Sequence, residues 1–209
     1  MDRERVRAAY DTVAADYAAL LPDTSFEADD DLAVFRRFVD LLPASARVVD
    51  AGCGAGRMIG AMADARPDLS ATGVDLSPRM IAEARRRLPE AHLAVGDLAD
   101  LPVASATADG VLAWYSIIHT PGSDLGAIAA EVARVLRPGG VVLAAFQSGR
   151  GGRVIDRAYG HELSLEAVLH EPGDVAAAFR TAGLTVVDEI ERAARPGERH
   201  PQGFVLARR

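Results

Sequence analysis

A glycine-rich loop follows the first run of β-forming residues in the sequence. It is Asp50-Ala51-Gly52-Cys53-Gly54-Ala55-Gly56-Arg57, and an amphipathic segment follows it. Glycines allow the backbone to turn tightly and to approach a ligand, and a helix that begins there presents free N–H groups. The loop therefore predicts a ligand site at the carboxyl end of a strand. It does not identify the ligand, because nucleotide, flavin and other cofactor folds all use such loops.

Three carboxylates, Asp50, Asp75 and Asp97, end three successive predicted strands. Asp75 follows the glycines by about twenty residues, where a carboxylate accepts hydrogen bonds from ribose hydroxyls. Arg57 occupies the position where a dinucleotide fingerprint has Gly or Ala. Three carboxylates repel a pyrophosphate, but they attract a ligand that carries an ammonium and a sulfonium. These charges favour S-adenosylmethionine over NAD or FAD.

One residue, His119, is the candidate for proton chemistry. It follows the fourth predicted strand, at the edge where an acceptor would meet a reactive methyl group. Histidine titrates near neutral pH and can take a proton from a hydroxyl. The alternative is a buried histidine that hydrogen-bonds to the backbone, and the sequence leaves both interpretations open. No standard metal-ligand spacing occurs, so we expect no metal.

The elements that position these residues follow from periodicity. Two amphipathic helices are predicted over residues 3–21 and 30–42. After them, strands alternate with helices, which predicts a parallel sheet with right-handed crossovers. The predicted strands are 48–50, 71–75, 92–95, 110–115 and 141–146, and the predicted helices are 57–65, 78–88 and 123–136. A sharp turn over 137–140 ends the last of these helices.

The sequence predicts a single α/β domain with a doubly wound, mostly parallel, seven-stranded sheet. Residues 1–43 form an N-terminal helical cover and 46–147 the cofactor-binding core. Residues 148–170 begin with glycines and are predicted to be an acceptor-side lid with a glycine hinge. Residues 171–209 add a helix over 173–182 and an antiparallel hairpin of strands 184–191 and 203–207.

Composition excludes several functions. The chain has 30 acidic and 23 basic residues among 209, a net charge of −7, which disfavours nucleic acid or an anionic membrane as partner. All basic residues are arginine, so no lysine can serve a P-loop or a Schiff base. No apolar stretch is long enough to span a bilayer, and the N-terminus lacks a secretory pattern. We expect a cytoplasmic protein.

Four motifs in order resemble those of the class I S-adenosylmethionine-dependent methyltransferases, in particular the small bacterial enzymes that methylate small molecules. They are residues 48–57, 74–80, 96–98 and 136–140. The resemblance implies a Rossmann-like fold and S-adenosyl-L-methionine as cofactor.

The resemblance also implies roles for matching residues. Asp75 would hold the ribose, while Asp97, Leu98 and Met80 would surround the adenine. The methionine part of the cofactor would lie against the glycine loop, and Trp114 and Tyr115 would lie between cofactor and acceptor. In some N-methyltransferases of this fold a histidine near position 119 pairs with a tyrosine of the N-terminal helix. The further cofactor-binding candidates are Tyr10, Tyr17, Asp50, Gly52, Gly54 and Arg57.

The predicted reaction is methyl transfer to oxygen or nitrogen of a small-molecule acceptor, with His119 as the base for an oxygen acceptor. Two alternatives belong to other classes. One is a protein that binds S-adenosylmethionine but regulates, or catalyses a different reaction, because function resides in the acceptor site and not in the fold. The other is an NAD-dependent oxidoreductase, which the three carboxylates and Arg57 disfavour.

Overall fold

Six α-helices, two short 3-10 helices and nine strands occur in residues 2–209, the part of the chain that the computed structural model describes. The helices are α1 (Arg3–Leu20), α2 (Asp29–Asp40), α3 (Arg57–Ala65), α4 (Pro78–Arg87), α5 (Leu125–Val135) and α6 (Pro172–Thr181). The strands are β1 (Arg47–Ala51), β2 (Ser70–Asp75), β3 (His92–Val95), β4 (Ala108–Trp114), β5 (Leu136–Gln147), β6 (Gly152–Ala158), β7 (His161–Val168), β8 (Thr185–Arg192) and β9 (Gln202–Arg208). In this part of the chain no helix is long and apolar enough to cross a membrane.

Seven strands form one sheet in the order β3-β2-β1-β4-β5-β9-β8. The strands from β1 to β5 pair in parallel, whereas β9 is antiparallel to both β5 and β8. This confirms the predicted doubly wound sheet with an antiparallel C-terminal hairpin. The strand order reverses between β1 and β4, and in open α/β sheets ligands bind beyond the carboxyl ends of the strands at such a point.

Apolar cores fill both faces of the sheet. On one face Phe38 of α2 and Met62 of α3 pack against the sheet with Leu143. On the other face Val132 of α5 and Phe179 of α6 pack in a second cluster. Every residue of β4 is buried, as expected for a central parallel strand covered on both faces. The two cores hold the carboxyl ends of the strands in fixed positions.

Helix α1 lies across these carboxyl ends. Its buried residues Val13 and Ala14 pack with Met80 of α4. Asp11 Oδ1 accepts hydrogen bonds from Ser77 Oγ at 2.6 Å and from Arg79 N at 3.2 Å, at the start of α4. The N-terminal helix is therefore fastened to the turn that follows β2.

Strands β6 and β7 form a separate antiparallel hairpin where the sequence predicted only a lid segment. Polar residues interrupt its apolar alternation, so the period-two pattern of a strand is weak. Leu163 and Tyr159 of the hairpin pack against the inner side of α1. The segment is thus an ordered cover, and hinged opening stays a prediction.

A second difference concerns residues 136–140, predicted as a helix end with a sharp turn. Helix α5 ends at Val135, and these residues begin β5 instead. Gly139, with φ +82°, donates its N–H to Arg209 O at 2.7 Å, so the last residue of the chain binds the turn.

Candidate functional site

A cavity of about 450 Å³ lies between the carboxyl ends of the parallel strands, α1 and the β6–β7 hairpin. Its volume is in the range of small-molecule sites. Nine residues predicted for the site line it: Tyr10, Tyr17, Gly52, Arg57, Asp75, Asp97, Leu98, Trp114 and His119.

Three predicted residues are not brought to the cavity wall. Met80 is 1% exposed and packs beneath α1, and Leu76 lines the cavity instead. Gly54 lies against the ring of Tyr17, where an added Cβ would be 3.5 Å from the ring. Asp50 is buried behind the glycine loop, and neither of its oxygens has a hydrogen-bond partner. Burial raises the pKa of Asp50 to about 7, although the charge of Arg57 acts in the opposite direction.

The loop after β1 makes its tightest approach at Gly52. Its φ is +86°, and a Cβ there would lie 2.2 Å from the Cβ of Ser116. The N–H groups of Gly52 and Cys53 both bond to Val74 O, at 2.7 and 3.0 Å. Only glycine fits this position, because any side chain would collide with the segment that follows β4.

Asp75 is held by two backbone N–H groups. Its Oδ2 accepts from Gly54 N and its Oδ1 from Ser77 N, each at 2.8 Å. A carboxylate has about four acceptor positions, so each oxygen keeps one for a ligand. Burial raises the pKa of Asp75, and the two N–H bonds lower it in part. Asp97 is fixed similarly, by Ala99 N at 2.8 Å and by an ion pair with Arg3 at 2.7 Å.

Arg57 forms a buried ion pair with Glu27, a residue that the sequence analysis missed. The two side chains are 10% and 4% exposed. Trp114 Nε1 donates to the same Glu27 oxygen at 3.2 Å. Burial alone would lower the pKa of Arg57, but Tyr17 and Glu27 outweigh it and raise the pKa. Glu27 lies in the loop between α1 and α2, where no motif distinguishes it from other acidic loop residues.

His119 is buried, and both of its ring nitrogens have partners. Nδ1 lies 2.6 Å from the carbonyl oxygen of Glu166, and Nε2 lies 2.8 Å from the hydroxyl of Tyr10. A carbonyl oxygen can only accept, so Nδ1 carries the proton and Nε2 accepts from Tyr10. Burial lowers the pKa of His119, and the charge of Arg153 adds to this effect. The imidazole is therefore neutral at pH 7.

Three polar atoms near the cavity are buried and have no hydrogen-bond partner in the described chain. They are Ser116 Oγ, Thr120 Oγ1 and Arg153 Nε. Buried polar groups normally have partners, so such atoms indicate where a ligand binds. The sequence analysis missed all three residues. Arg153 is a charged residue at an inward-facing position of a strand. That signal could have been recognised only if the hairpin had been predicted from the sequence.

Comparisons with known proteins agree with this geometry. The family profile described as a methyltransferase domain matches residues 48–140. A malonyl-acyl-carrier-protein O-methyltransferase of Dechloromonas aromatica is 30% identical over 196 residues, which cover 89% of this chain and 68% of that enzyme. The chain belongs to the class I S-adenosylmethionine-dependent methyltransferases. This confirms the family that the four motifs predicted and sets aside the NAD-dependent alternative.

Two further comparisons, one of sequence and one of structure, also match this chain to methyltransferases. A trans-aconitate 2-methyltransferase of Methylobacterium nodulans is 39% identical over 103 residues, 47% of this chain and 37% of that enzyme. A methyltransferase structure from Methanosarcina mazei superposes with a TM-score of 0.71 at 16% identity, covering 84% of this chain and 96% of that one. The chain spans about half the length of the curated relatives it matches, at 50%, 37% and 43% for three of them.

The residues at the cavity fit S-adenosylmethionine, the cofactor of this family. Asp75 keeps two free acceptor positions for a ribose diol. Gly52 lines the cavity, and its lack of a side chain lets Ser116, whose buried hydroxyl has no partner, pack against the loop. Of the three carboxylates predicted to attract a cationic ligand, Asp75 and Asp97 line the cavity and Asp50 does not. Among residues 2–209, no three His, Cys, Asp or Glu side chains are grouped to hold a metal ion.

Proposed function

We propose that this protein transfers a methyl group from S-adenosylmethionine to an oxygen or nitrogen atom of a small molecule. The observation that carries the proposal is the pair Tyr10 and His119, which lies in the same cavity as the cofactor-type residues Gly52 and Asp75. S-adenosylmethionine supplies a methyl group already activated by its sulfonium. The chain then has to hold donor and acceptor in line, which removes much of the entropic barrier.

In the proposed arrangement Asp75 binds the ribose, and Asp97 and Leu98 bind the adenine. Gly52 and Arg57 border the methionine part, with Tyr17 above them. Arg57 donates a hydrogen bond to the Tyr17 hydroxyl oxygen, and burial raises the pKa of the Tyr17 phenol while Arg57 lowers it in part. The phenol stays protonated at neutral pH and can donate to the cofactor's carboxylate.

The residues on the acceptor side of the site receive the proton that the acceptor loses. Because Nε2 of His119 already accepts from Tyr10, His119 cannot take a proton from an acceptor directly. A proton from an acceptor hydroxyl would instead reach the Tyr10 oxygen while the Tyr10 proton moves to Nε2. Burial raises the pKa of Tyr10 well above its usual value, so the phenol does not lose its proton without such a transfer. His119 is thus a base that acts through Tyr10.

A small-molecule acceptor is consistent with the partly covered cavity and with the net negative charge of the chain. α1 and the hairpin cover the cavity from two sides, which favours a small molecule over a nucleic-acid strand. The net charge of −7 also opposes the approach of a polyanion. The matched relatives are named for malonyl-acyl-carrier protein and trans-aconitate, and both names denote carboxylic acids.

Calorimetry and product analysis test the proposal. S-adenosylhomocysteine is expected to bind and NAD is not. Incubation with S-adenosylmethionine labelled in the methyl group and a panel of small hydroxyl, amine and carboxylate compounds should yield labelled products and S-adenosylhomocysteine. Binding of the cofactor with no transfer to any acceptor class would favour the regulatory or non-methylating alternative. Absence of cofactor binding would overturn the proposal.

A further inference from the structure

The inner face of the β6–β7 hairpin carries a charged residue where an apolar one is expected. Side chains alternate between the two faces of a strand. In β6, Arg153 is only partly exposed, whereas the next residue, Val154, is 62% exposed. Arg153 pairs in register with Ala167, which is 1% exposed. The hairpin thus turns its arginine toward the cavity and its valine toward solvent, the reverse of what burial energetics favours.

Arg153 also differs from other enclosed arginines in having no partner. Arg57 pairs with Glu27, and Arg192 pairs with Asp31 at 2.5 Å. In the part of the chain that the structure describes, Arg153 has no acidic group within ion-pair distance, and its buried Nε has no hydrogen-bond acceptor. Withdrawing a guanidinium from water without a partner is unfavourable. An anionic ligand would supply the missing acceptors.

The position of Arg153 points to the acceptor rather than to the cofactor. Its register partner, Ala167, adjoins Glu166, whose carbonyl holds His119. The charge of Arg153 acts on His119, and Thr120, with its unpartnered hydroxyl, borders the same cavity. Asp75, which ends β2, and Asp97, which follows β3, are the groups that suit the cofactor, and they lie on the other side of β1.

We propose that the acceptor of this protein carries a carboxylate and that Arg153 binds it. This rests on the proposed function, because it assigns the substrate class of the same site. A guanidinium presents parallel N–H groups that match the two oxygens of a carboxylate. The neutral His119 and the protonated Tyr10 add no negative charge that would repel such a group. Arg153 is therefore a residue that selects the acceptor.

Binding measurements at saturating S-adenosylhomocysteine test this assignment. The probes are acetate, malonate, phenylacetate and trans-aconitate, each compared with its amide, together with inorganic phosphate. The proteins are the wild type, Arg153→Gln, Arg153→Lys and a matched control, Arg157→Gln. Arg157 is an exposed residue of the same strand.

At least one carboxylate should bind the wild type more tightly than its amide. Arg153→Gln should weaken that carboxylate about tenfold or more, since hydrogen bonds to charged groups have this strength. Arg153→Lys should restore part of the affinity, and Arg157→Gln should change nothing. The affinity for S-adenosylhomocysteine should be the same in all four proteins.

Three results would overturn the assignment. The first is the lack of a carboxylate effect that depends on Arg153. Either no carboxylate in the panel binds better than its amide, or Arg153→Gln binds that carboxylate as tightly as the wild type does. The second is that phosphate binds more tightly than every carboxylate and depends on Arg153. The third is a loss of S-adenosylhomocysteine affinity in Arg153→Gln, which would place the cofactor's own carboxylate at this residue. Failure of the wild type to bind S-adenosylhomocysteine would instead refute the proposed function.

Discussion

The hydroxyl of Tyr10, in the N-terminal helix, lies 2.8 Å from Nε2 of His119, 109 residues further along the chain. The bond joins the cover of the site to the segment after β4. The direction of this bond is set by Glu166, whose carbonyl oxygen accepts a hydrogen bond from Nδ1–H of His119. A backbone carbonyl in the hairpin thereby decides which imidazole nitrogen is free to accept a proton.

His119 is expected to titrate below its usual pKa of about 6.5 because it is buried and lies near Arg153. The base form is the neutral one, so turnover should rise with pH through this lowered pKa and stay level around neutrality. NMR of the imidazole nitrogens should show the Nδ1–H tautomer at pH 7. A protonated ring at that pH would contradict the assignment.

Tyr10→Phe and His119→Ala should both slow turnover with an acceptor that carries a proton. For His119→Ala the loss should be on the order of 100-fold, a typical value for a general base. Affinity for S-adenosylhomocysteine should stay near that of the wild type, and the exposed His92→Ala serves as the control. Full activity of both variants would reduce the pair to a packing contact.

Asp75→Asn should weaken S-adenosylhomocysteine binding by about 1.5–3 kcal/mol, or roughly 10- to 150-fold, because it removes a charged hydrogen-bond acceptor. Asparagine keeps the volume, but its amide group can accept only one of the two backbone N–H bonds that hold Asp75, so some loss of stability is expected as well. Calorimetry measures the affinity, and thermal unfolding without ligand checks the fold. Asp64→Asn, an exposed substitution in α3, is the matched control. An unchanged affinity in Asp75→Asn would refute the ribose assignment.

Gly52→Ala should destabilise the protein by about 1–3 kcal/mol, because its methyl group would collide with Ser116 at a positive φ. Gly60→Ala is the control, since its added Cβ meets nothing within 4 Å and lies in α3. Alanine there should be neutral or stabilising by up to about 1 kcal/mol. Urea unfolding compares the two variants. Equal stability of both would show that the loop can move away from β4 at little cost.

The contribution of Asp50 to stability should fall as pH rises from about 4 to 7. The pKa of this buried carboxyl is about 7 in the folded protein, against about 3.9 when unfolded. Between these values the unfolded chain loses the proton and the native state keeps it, so the contribution of Asp50 to the free energy of unfolding decreases with rising pH. The steepest slope is about 1.4 kcal/mol per pH unit.

Asp50→Asn should remove this dependence, so its stability relative to wild type should be greater at about pH 8 than at about pH 5. Urea unfolding at the two pH values measures the difference. The exposed Asp64→Asn should follow the wild type. If Asp50→Asn and the wild type changed in parallel, Asp50 would not be the titrating group.

The sheet and the order of its elements could be predicted because recognisable residues lie at or near the carboxyl ends of β1, β2 and β3. Asp75 ends β2, Asp50 is the last but one residue of β1, and Asp97 lies two residues after β3. Ser77 caps α4, as its position before Pro78 suggests. These features depend on neighbours in the sequence. The glycine loop and its aspartate are therefore visible without the fold.

The rest of the site depends on contacts between distant residues. Glu27 is an ordinary acidic loop residue until the fold places it beside Arg57, and Arg153 is one arginine among many until β6 pairs with β7. Met80 has the spacing of a cavity residue, but its side chain points beneath α1. Helical periodicity shows on which face of a helix a residue lies, but not which neighbouring element that face packs against.

The ion pair between Arg3 and Asp97 links the first turn of the chain to the floor of the cavity. Together with the hydrogen bond from Ser77 to Asp11, this ion pair connects the N-terminal half of α1 to the turns that follow β2 and β3. Docking of that helix and loading of the adenosyl group should then reinforce each other thermodynamically. A ligand in the cavity would protect the first twenty residues from proteases, and a chain trimmed of them would exchange its ligand faster.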